Sequence, residues 1–191
     1  MAGLKGTKTE KNLVASFTGE SQARNRYTYF ASAAKKTGFE QIAAIFLETA
    51  DNEKEHAKRF FKLLEGGEVE IAASYPAGVI GDTAANLEAS AAGERLEWTK
   101  LYKEAEKTAR EEGFEEIAVQ YKEIAEVEEQ HEKRYGKLLK NLKEDEVFKK
   151  DTAVKWKCRN CGYVQEAKEA PEECPACAHP QSFYELLSEN Y

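Results

Sequence analysis

Several features are scarce in this chain of 191 residues. One proline lies in the first 145 residues, and the other three lie in the last 25. The longest unbroken apolar run, Ile42 to Leu47, is far shorter than the ~20 residues that a membrane helix requires. Basic residues do not outnumber acidic ones, and the net charge of −7 argues against binding to nucleic acid. We therefore expect a protein that binds neither membranes nor nucleic acids.

The first residues, Met1 to Gly6, contain no apolar targeting segment, so we expect a cytoplasmic location. Cysteine is confined to a single stretch, from Cys158 to Cys177. In a reducing compartment, four clustered cysteines are more typical of a metal site than of two disulfides.

Composition changes near Asp145 to Ala153. The residues before this point are rich in Ala, Glu, Lys and Leu, and their apolar positions recur at steps of three and four. This spacing is typical of long helices that pack at small crossing angles. We expect a helical domain over residues 1–147, followed by a linker and a small domain over residues 148–191.

Two stretches of the helical region are nearly the same. Each contains a Gly-Glu pair, a Gly-Phe-Glu-x-Ile-Ala segment and a Glu-x-x-His motif. These elements begin at Gly19, Gly38 and Glu53 in the first copy, and at Gly93, Gly113 and Glu128 in the second. The last two elements are offset by 75 residues and the first by 74. The first helices of the two copies therefore differ in register by one residue.

This duplication predicts two helical hairpins, each with a tight turn at its glycine, Gly38 or Gly113. The helix-poor stretch from Gly66 to Gly81 suits a long crossover between them. Together they predict an all-α four-helix bundle of the ferritin-like kind.

Charged residues occupy core positions of all four predicted helices. They are Glu20, Glu53, His56, Glu94, Glu128 and His131. Burying unpaired carboxylates costs several kcal/mol each, so their convergence on one level of a bundle requires compensating cations. A Glu-x-x-His motif places both side chains on one helical face, where a metal can contact both. The pattern therefore predicts a carboxylate-bridged two-metal centre.

Three further residues lie close to this set. Glu97 is one turn after Glu94 and has Ala23 as its counterpart, so it adds a ligand on one side or forms a surface ion pair. Tyr27 and Tyr102 either donate hydrogen bonds to the carboxylates or simply pack in the core. A single Glu-x-x-His motif commonly lies on a solvated helix face, and it is the duplication that favours a metal site.

Iron or manganese suits these ligands, and zinc stays possible.

The C-terminal segment contains two Cys-x-x-Cys motifs, Cys158 to Cys161 and Cys174 to Cys177, twelve residues apart. They predict a tetrahedral four-thiolate site that a domain of this size needs in order to fold. The spacing alone fits a zinc ribbon or an iron site. Iron is favoured because a redox-active two-metal centre needs an electron supply.

With both Glu-x-x-His motifs followed by Cys-x-x-Cys-Gly-Tyr and Cys-Pro-x-Cys, the sequence resembles the rubrerythrin family over essentially its whole length. The resemblance implies a small rubredoxin-like β domain after the bundle. It also implies a non-haem diiron peroxidase that reduces hydrogen peroxide to water and defends cells against oxidative stress. Electrons would come from reduced nicotinamide through a reductase or small carrier, and would pass through the iron held by the four cysteines.

The resemblance also implies roles for individual residues. Glu53 and Glu128 would bridge the irons, Glu20 and Glu94 would be terminal ligands, and His131 would bind permanently. Glu97 and His56 would exchange at the other iron on reduction. Asn160 and His179 would raise the potential of the four-cysteine iron. A head-to-tail homodimer would bring this iron close to the partner's diiron centre.

Three other functions compete with the peroxidase. A ferroxidase or iron-storage protein would use the same helices but would have no use for the cysteines. A structural or sensing protein would hold zinc in both sites and would be colourless. An electron carrier would show no peroxide turnover after reduction.

Overall fold

The computed structural model describes residues 3–190, so the outer ends of both predicted domains, Met1, Ala2 and Tyr191, lie outside the described residues. The helices are α1 Lys8–Lys36, α2 Glu40–Lys62, α3 Thr83–Leu96, α4 Tyr102–Glu111 and α5 Glu115–Lys143. A π-helical turn, Glu97–Leu101, joins α3 and α4 into one long helix. The bundle therefore has four helices, in which α1 packs against α2, and α3 and α4 pack against α5. This confirms the predicted four-helix bundle.

Each hairpin turn ends its first helix in the same way. Gly38 has φ of 84°, and Phe39 N donates to Ala34 O at 3.0 Å. Gly113 has φ of 85°, and Phe114 N donates to Ala109 O at 2.8 Å. These are Schellman turns, in which glycine adopts the left-handed conformation without steric cost.

The π-helical turn accounts for the difference in register between the repeats. Glu94 follows Glu20 by 74 residues, whereas Tyr102 follows Tyr27 by 75, so the second copy contains one extra residue between these positions. The turn Glu97–Leu101 lies in this interval and absorbs the extra residue. Tyr102 therefore faces the bundle interior, as Tyr27 does.

Two aromatic layers lie along the bundle on either side of the glutamates from the two repeats. One contains Tyr27, Phe46 and Tyr135, and the other contains Tyr102 and Tyr121 together with Phe60. All six side chains are at most 3% exposed. Complete burial of a large apolar side chain stabilises a fold by roughly 1.5–3 kcal/mol, so these layers hold the four helices at fixed positions around the glutamates.

The C-terminal strands are β1 Lys149–Cys158, β2 Val164–Glu169 and β3 Tyr184–Leu186. They form an antiparallel sheet in the order β2-β1-β3, with a short 3₁₀ turn, Gln181–Phe183, before β3. Trp156 is fully buried and donates to Ala167 O at 3.1 Å. This confirms the predicted small β domain.

The crossover between the hairpins follows α2. Residues 65–82, all of them described, contain neither helix nor strand. The Tyr75 hydroxyl in this segment donates to Ala15 O of α1 at 2.8 Å. In residues 3–190, no helix combines the length and the apolar character that crossing a membrane would need.

Candidate metal centres

The bundle holds two groups of side chains that share two glutamates. The first group is Glu20, Glu53, His56 and Glu128, and the second is Glu53, Glu94, Glu128 and His131. In each group the potential ligand atoms all lie within 4.8 Å of one another. The structure therefore brings together, from four helices, six of the residues that the repeats singled out.

The two histidines face the shared glutamates in matching ways. His56 Nδ1 lies 2.9 Å from Glu53 Oε2 and 2.9 Å from Glu128 Oε1. His131 Nδ1 lies 3.2 Å from Glu53 Oε1 and 2.8 Å from Glu128 Oε2. Each shared carboxylate thus offers one oxygen to each group, which is the arrangement that a bridging ligand requires.

Many polar atoms here are buried without a hydrogen-bond partner among the described residues. They are Glu20 Oε2, Glu53 Oε1, both oxygens of Glu128, and His131 Nδ1. His131 Nδ1 is close to two of these oxygens, but its position does not direct a hydrogen bond at either. Orphaned atoms of this kind are rare in proteins and costly, whereas lone pairs that converge on one point suit cations. The donor set therefore fits a pair of metal ions.

Each outer glutamate accepts a hydrogen bond from a tyrosine of the other repeat. Tyr102 donates to Glu20 Oε1 at 2.5 Å, and Tyr27 donates to Glu94 Oε1. Burial, and after it the charge of the partner glutamate, raises the pKa of each tyrosine well above its usual range. Both hydroxyls therefore keep their protons. Of the two roles expected for these tyrosines, hydrogen bonding to the carboxylates is the one observed.

Without metal, the site binds protons tightly. Burial and the neighbouring carboxylates raise the pKa values of Glu20 and Glu94 well above their usual range. Burial opposes protonation of the histidines, but Glu128 and Glu53 outweigh it and raise the pKa of His56 to about 10 and of His131 to about 9. For Glu53, burial favours the acid form, yet the two imidazoles lower its pKa to about 2. Metal ions would replace these protons.

Glu97 lies beside the two groups and belongs to neither. It is the first residue of the π-helical turn, and its carboxylate lines a cavity next to the site. Burial, together with Glu128 and Glu53, raises its pKa to about 8, although Arg26 opposes the shift. His56 thus occupies the ligand group in this structure, and Glu97 stands outside it.

The four cysteines converge in the small domain. They form no disulfide with one another, and their sulfur atoms lie within 4.8 Å of one another. Cys158 Sγ is 3.8 Å from Cys177 Sγ, and Cys161 Sγ is 3.6 Å from Cys174 Sγ. A tetrahedral metal with bonds of ~2.3 Å places its sulfurs about 3.8 Å apart, so the cluster fits a four-thiolate site.

Asn160 and His179 lie in the two cysteine turns. Burial acts to raise the pKa of the Cys177 thiol, but the backbone N–H of His179, Cys161 and the Asn160 side chain lower it to about 6. These donors favour the thiolate form that binds metal. His179 Nδ1 also lies 3.1 Å from Cys177 O.

The sequence reasoning missed two residues near the site, Tyr75 of the crossover and Gly19 of α1. Tyr75 carries no motif, so nothing in the sequence indicated its position. The sequence did offer an indication for Gly19, because glycine is unfavourable in a helix interior and its presence there suggests that a side chain would not be tolerated.

The fold and the two candidate centres define a ferritin-like four-helix protein with a rubredoxin-like C-terminal domain. A sequence model described as Rubrerythrin matches residues 11–157, and one described as Rubrerythrin, rubredoxin-like domain matches residues 156–185. The chain belongs to the rubrerythrin family, a family of oxidoreductases. The glutamate–histidine groups fit the diiron site of this family, and the cysteines fit its rubredoxin-like iron site.

Individual relatives agree with this assignment. The chain is 59% identical over 188 residues to Rubrerythrin of Porphyromonas gingivalis, covering 98% of this chain and 94% of the relative. It is also 59% identical over 191 residues to Rubrerythrin of Nitratidesulfovibrio vulgaris, covering 100% of both. A solved structure titled "Fully reduced state of nigerythrin (all ferrous)" is similar with a TM-score of 0.63 and 28% identity, over 96% of this chain and 91% of that one.

Proposed function

We propose that the protein is a non-haem diiron peroxidase that reduces hydrogen peroxide to water in oxidative-stress defence. The observation that carries the proposal is the pair of buried ligand groups that share Glu53 and Glu128, in a chain that also has a four-thiol cluster. The reaction consumes one peroxide, two electrons and two protons, and yields two water molecules. Irons bound in the shared groups would supply these two electrons, and an iron in the cysteine cluster would return them singly.

The positions of the side chains support the proposed ligand roles. Glu53 and Glu128 would bridge the metals, because each offers one oxygen to either group. Glu20 and Glu94 would be terminal ligands, and their tyrosine partners orient them. His131 would be a permanent ligand, since it is 4% exposed and lies close to both shared glutamates. His56 and Glu97 would alternate as ligands of one metal, since His56 belongs to the first group and the Glu97 carboxylate lies beside it.

The surrounding residues would control protons and water. Tyr27 and Tyr102 hold their protons firmly, and their hydrogen bonds stabilise the outer glutamates as anions. The buried aromatic layers on either side exclude bulk water, which strengthens the electrostatic interactions inside. Glu97, with a pKa of about 8 before metal is bound, lies where a proton can be held near the cavity. We propose Glu97, His56, Tyr27 and Tyr102 as the catalytic residues.

The two domains and the assembly of the protein have proposed roles in electron transfer. We propose that residues 1–147 carry the diiron site and that residues 148–191 form the electron-transfer domain. The electron donor is a reductase linked to reduced nicotinamide, or a small redox carrier. The working unit is a cytoplasmic head-to-tail homodimer that places one chain's four-cysteine iron near the other's diiron site, because electron transfer is steeply distance-dependent.

The experiment compares peroxide and dioxygen as oxidants. Iron-loaded, fully reduced protein receives one equivalent of hydrogen peroxide while metal content and the visible spectrum are measured. We expect stoichiometric oxidation and, with a reductase present, sustained peroxide turnover. Protein that instead oxidises added ferrous iron with dioxygen and retains it, without peroxide turnover, would favour the alternative ferroxidase function.

A further inference from the structure

A cavity of about 390 Å³ lies between α1 and the long helix formed by α3, the π-helical turn and α4. Glu97 and the buried residue Tyr102 line it on the side of the metal centre. Residues 73–76 of the crossover line it on the side of the solvent. The cavity therefore extends from the protein surface to the carboxylate beside the first ligand group.

Tyr75 anchors the crossover over this cavity. Among the described crossover residues 65–80, Val69, Ile71 and Tyr75 are half-buried and the others are exposed. The Tyr75 hydroxyl donates to Ala15 O at 2.8 Å, which fixes the ring against α1. The tyrosine ring is thus the large, partly buried group on the solvent side of the cavity.

Gly19 lies between the Tyr75 ring and Glu97. A Cβ atom built on Gly19 would be 3.8 Å from Tyr75 Cε1 and 4.0 Å from Glu97 Oε1. Glycine is unfavourable inside a helix such as α1, but here its missing side chain leaves space between the ring and the carboxylate. The width of the path to Glu97 is therefore set by Tyr75 on one side and by the bare backbone of Gly19 on the other.

We propose that Tyr75 is a specificity-determining residue, whose ring narrows the path from solvent to Glu97 so that hydrogen peroxide enters and bulky organic hydroperoxides are held back. The choice of peroxide as the molecule that enters rests on the proposed function. The restriction of access does not, because it concerns the size of any molecule that approaches the centre from this side.

The test uses the iron-loaded full-length chain and its variants Tyr75→Ala and Tyr75→Phe. The first measurement is the rate at which a bulky chelator, bathophenanthroline disulfonate, removes ferrous iron from the carboxylate centre, with the four-cysteine iron as internal reference. The second is the ratio of turnover rates with cumene hydroperoxide and hydrogen peroxide. Because pocket size commonly changes discrimination by tenfold or more, we expect Tyr75→Ala to raise both quantities by about tenfold. Tyr75→Phe retains the ring but loses the hydroxyl that donates to Ala15 O, so we expect it to raise both quantities less than Tyr75→Ala does.

Gly19→Ala provides the opposite change with the crossover intact. The added methyl group meets neighbours at van der Waals distance, so the helix accommodates it, and chelation should become slower. Unchanged chelation rates in both Tyr75→Ala and Gly19→Ala would overturn the proposal, as would an unchanged hydroperoxide ratio in a folded Tyr75→Ala protein that turns over hydrogen peroxide. Accelerated chelation in Tyr75→Ala, with no peroxide turnover in any chain, would support the restriction of access and refute the proposed peroxidase.

Discussion

The Tyr102 hydroxyl donates a 2.5 Å hydrogen bond to Glu20 Oε1 across the bundle, from one sequence repeat to the other. Tyr27 and Glu94 form the reciprocal pair. Each hairpin therefore supplies a buried carboxylate to the site and a hydroxyl donor to the other hairpin's carboxylate. This reciprocity makes the site a property of the assembled pair of hairpins, which neither hairpin has alone.

Tyr102→Phe should therefore weaken the metal-loaded protein more than the metal-free protein. Without metal, burial raises the pKa of Glu20 and so favours its uncharged form, and the hydrogen bond lost to such a partner is worth about 0.5–1.5 kcal/mol. With metal, Glu20 is an anion, and the loss rises to about 1.5–3 kcal/mol. Urea unfolding of both forms measures the difference.

Tyr121→Phe is the matched control for this variant. Tyr121 lies in the same aromatic layer, but its hydroxyl pairs at 3.2 Å with Ser16, which is uncharged. Its removal should cost about 0.5–1.5 kcal/mol in either form. Equal losses for Tyr102→Phe with and without metal would contradict a role for Tyr102 in supporting the Glu20 anion.

The sequence predicted the bundle and the convergence of the six ligand candidates because duplication repeats both the helical period and the chemistry. It also showed that one extra residue lies between Glu94 and Gly113. It could not show that a π-helical turn absorbs this residue at Glu97–Leu101, because a single inserted residue fits a loop or a bulge equally well. The sequence offered hydrogen bonds from Tyr27 and Tyr102 to the carboxylates as one alternative, but it could not show that each tyrosine pairs with the glutamate of the other repeat.

Glu97→Ala should leave ferrous iron binding largely intact and destabilise the oxidised centre. The reason is that His56 already completes the first ligand group, whereas Glu97 stands outside it in this structure. We expect near-normal ferrous iron content and an altered visible spectrum after oxidation. Glu104→Ala is the control, because Glu104 lines the same cavity at an exposed position. An oxidised spectrum identical to that of the parent chain would contradict the proposed ligand exchange.

The metal-free and metal-loaded proteins should respond to pH in opposite directions. In the metal-free protein, the folded pKa values of Glu97, about 8, and of His131 and His56, about 9 and 10, exceed their unfolded values. A folded state that binds protons more tightly loses stability as pH rises, so we expect the free energy of unfolding to fall continuously from pH 5 to pH 9. The loaded protein should instead lose metal as pH falls, because protons compete for the ligands.

Thermal unfolding of both forms between pH 5 and pH 9 checks this expectation. A second measurement is calorimetric titration of metal into metal-free protein at pH 7 in buffers of different ionisation enthalpy. Binding should release at least two protons, since both histidines and Glu97 are protonated before it. Metal binding without proton release would mean that these groups are not the ligands or their immediate neighbours.

The crossover was predicted from the sequence only in part. Proline and glycine predicted that residues 66–81 would not be helical, and this is confirmed. The contact of Tyr75 with α1 could not be predicted. A single aromatic residue in an irregular segment belongs to no periodic pattern, so the sequence does not indicate the direction of its side chain. Its location depends on a tertiary hydrogen bond to Ala15 and on space at Gly19.

Cys161→Ser should separate single turnover from sustained turnover. Cys161 Sγ lies 3.6 Å from Cys174 Sγ in the four-thiol cluster, which belongs to a different core from the glutamate–histidine groups. Pre-reduced variant protein should therefore still consume one equivalent of peroxide, while steady turnover with a reductase should be lost. Arg159→Ala is the control, because it lies in the same cysteine turn, retains all four thiols and has a side chain that pairs with Glu185, so it should keep steady turnover. If Cys161→Ser protein sustained turnover at the parent rate, electrons would have to reach the glutamate–histidine centre without the cysteine cluster, and the proposed relay would be wrong.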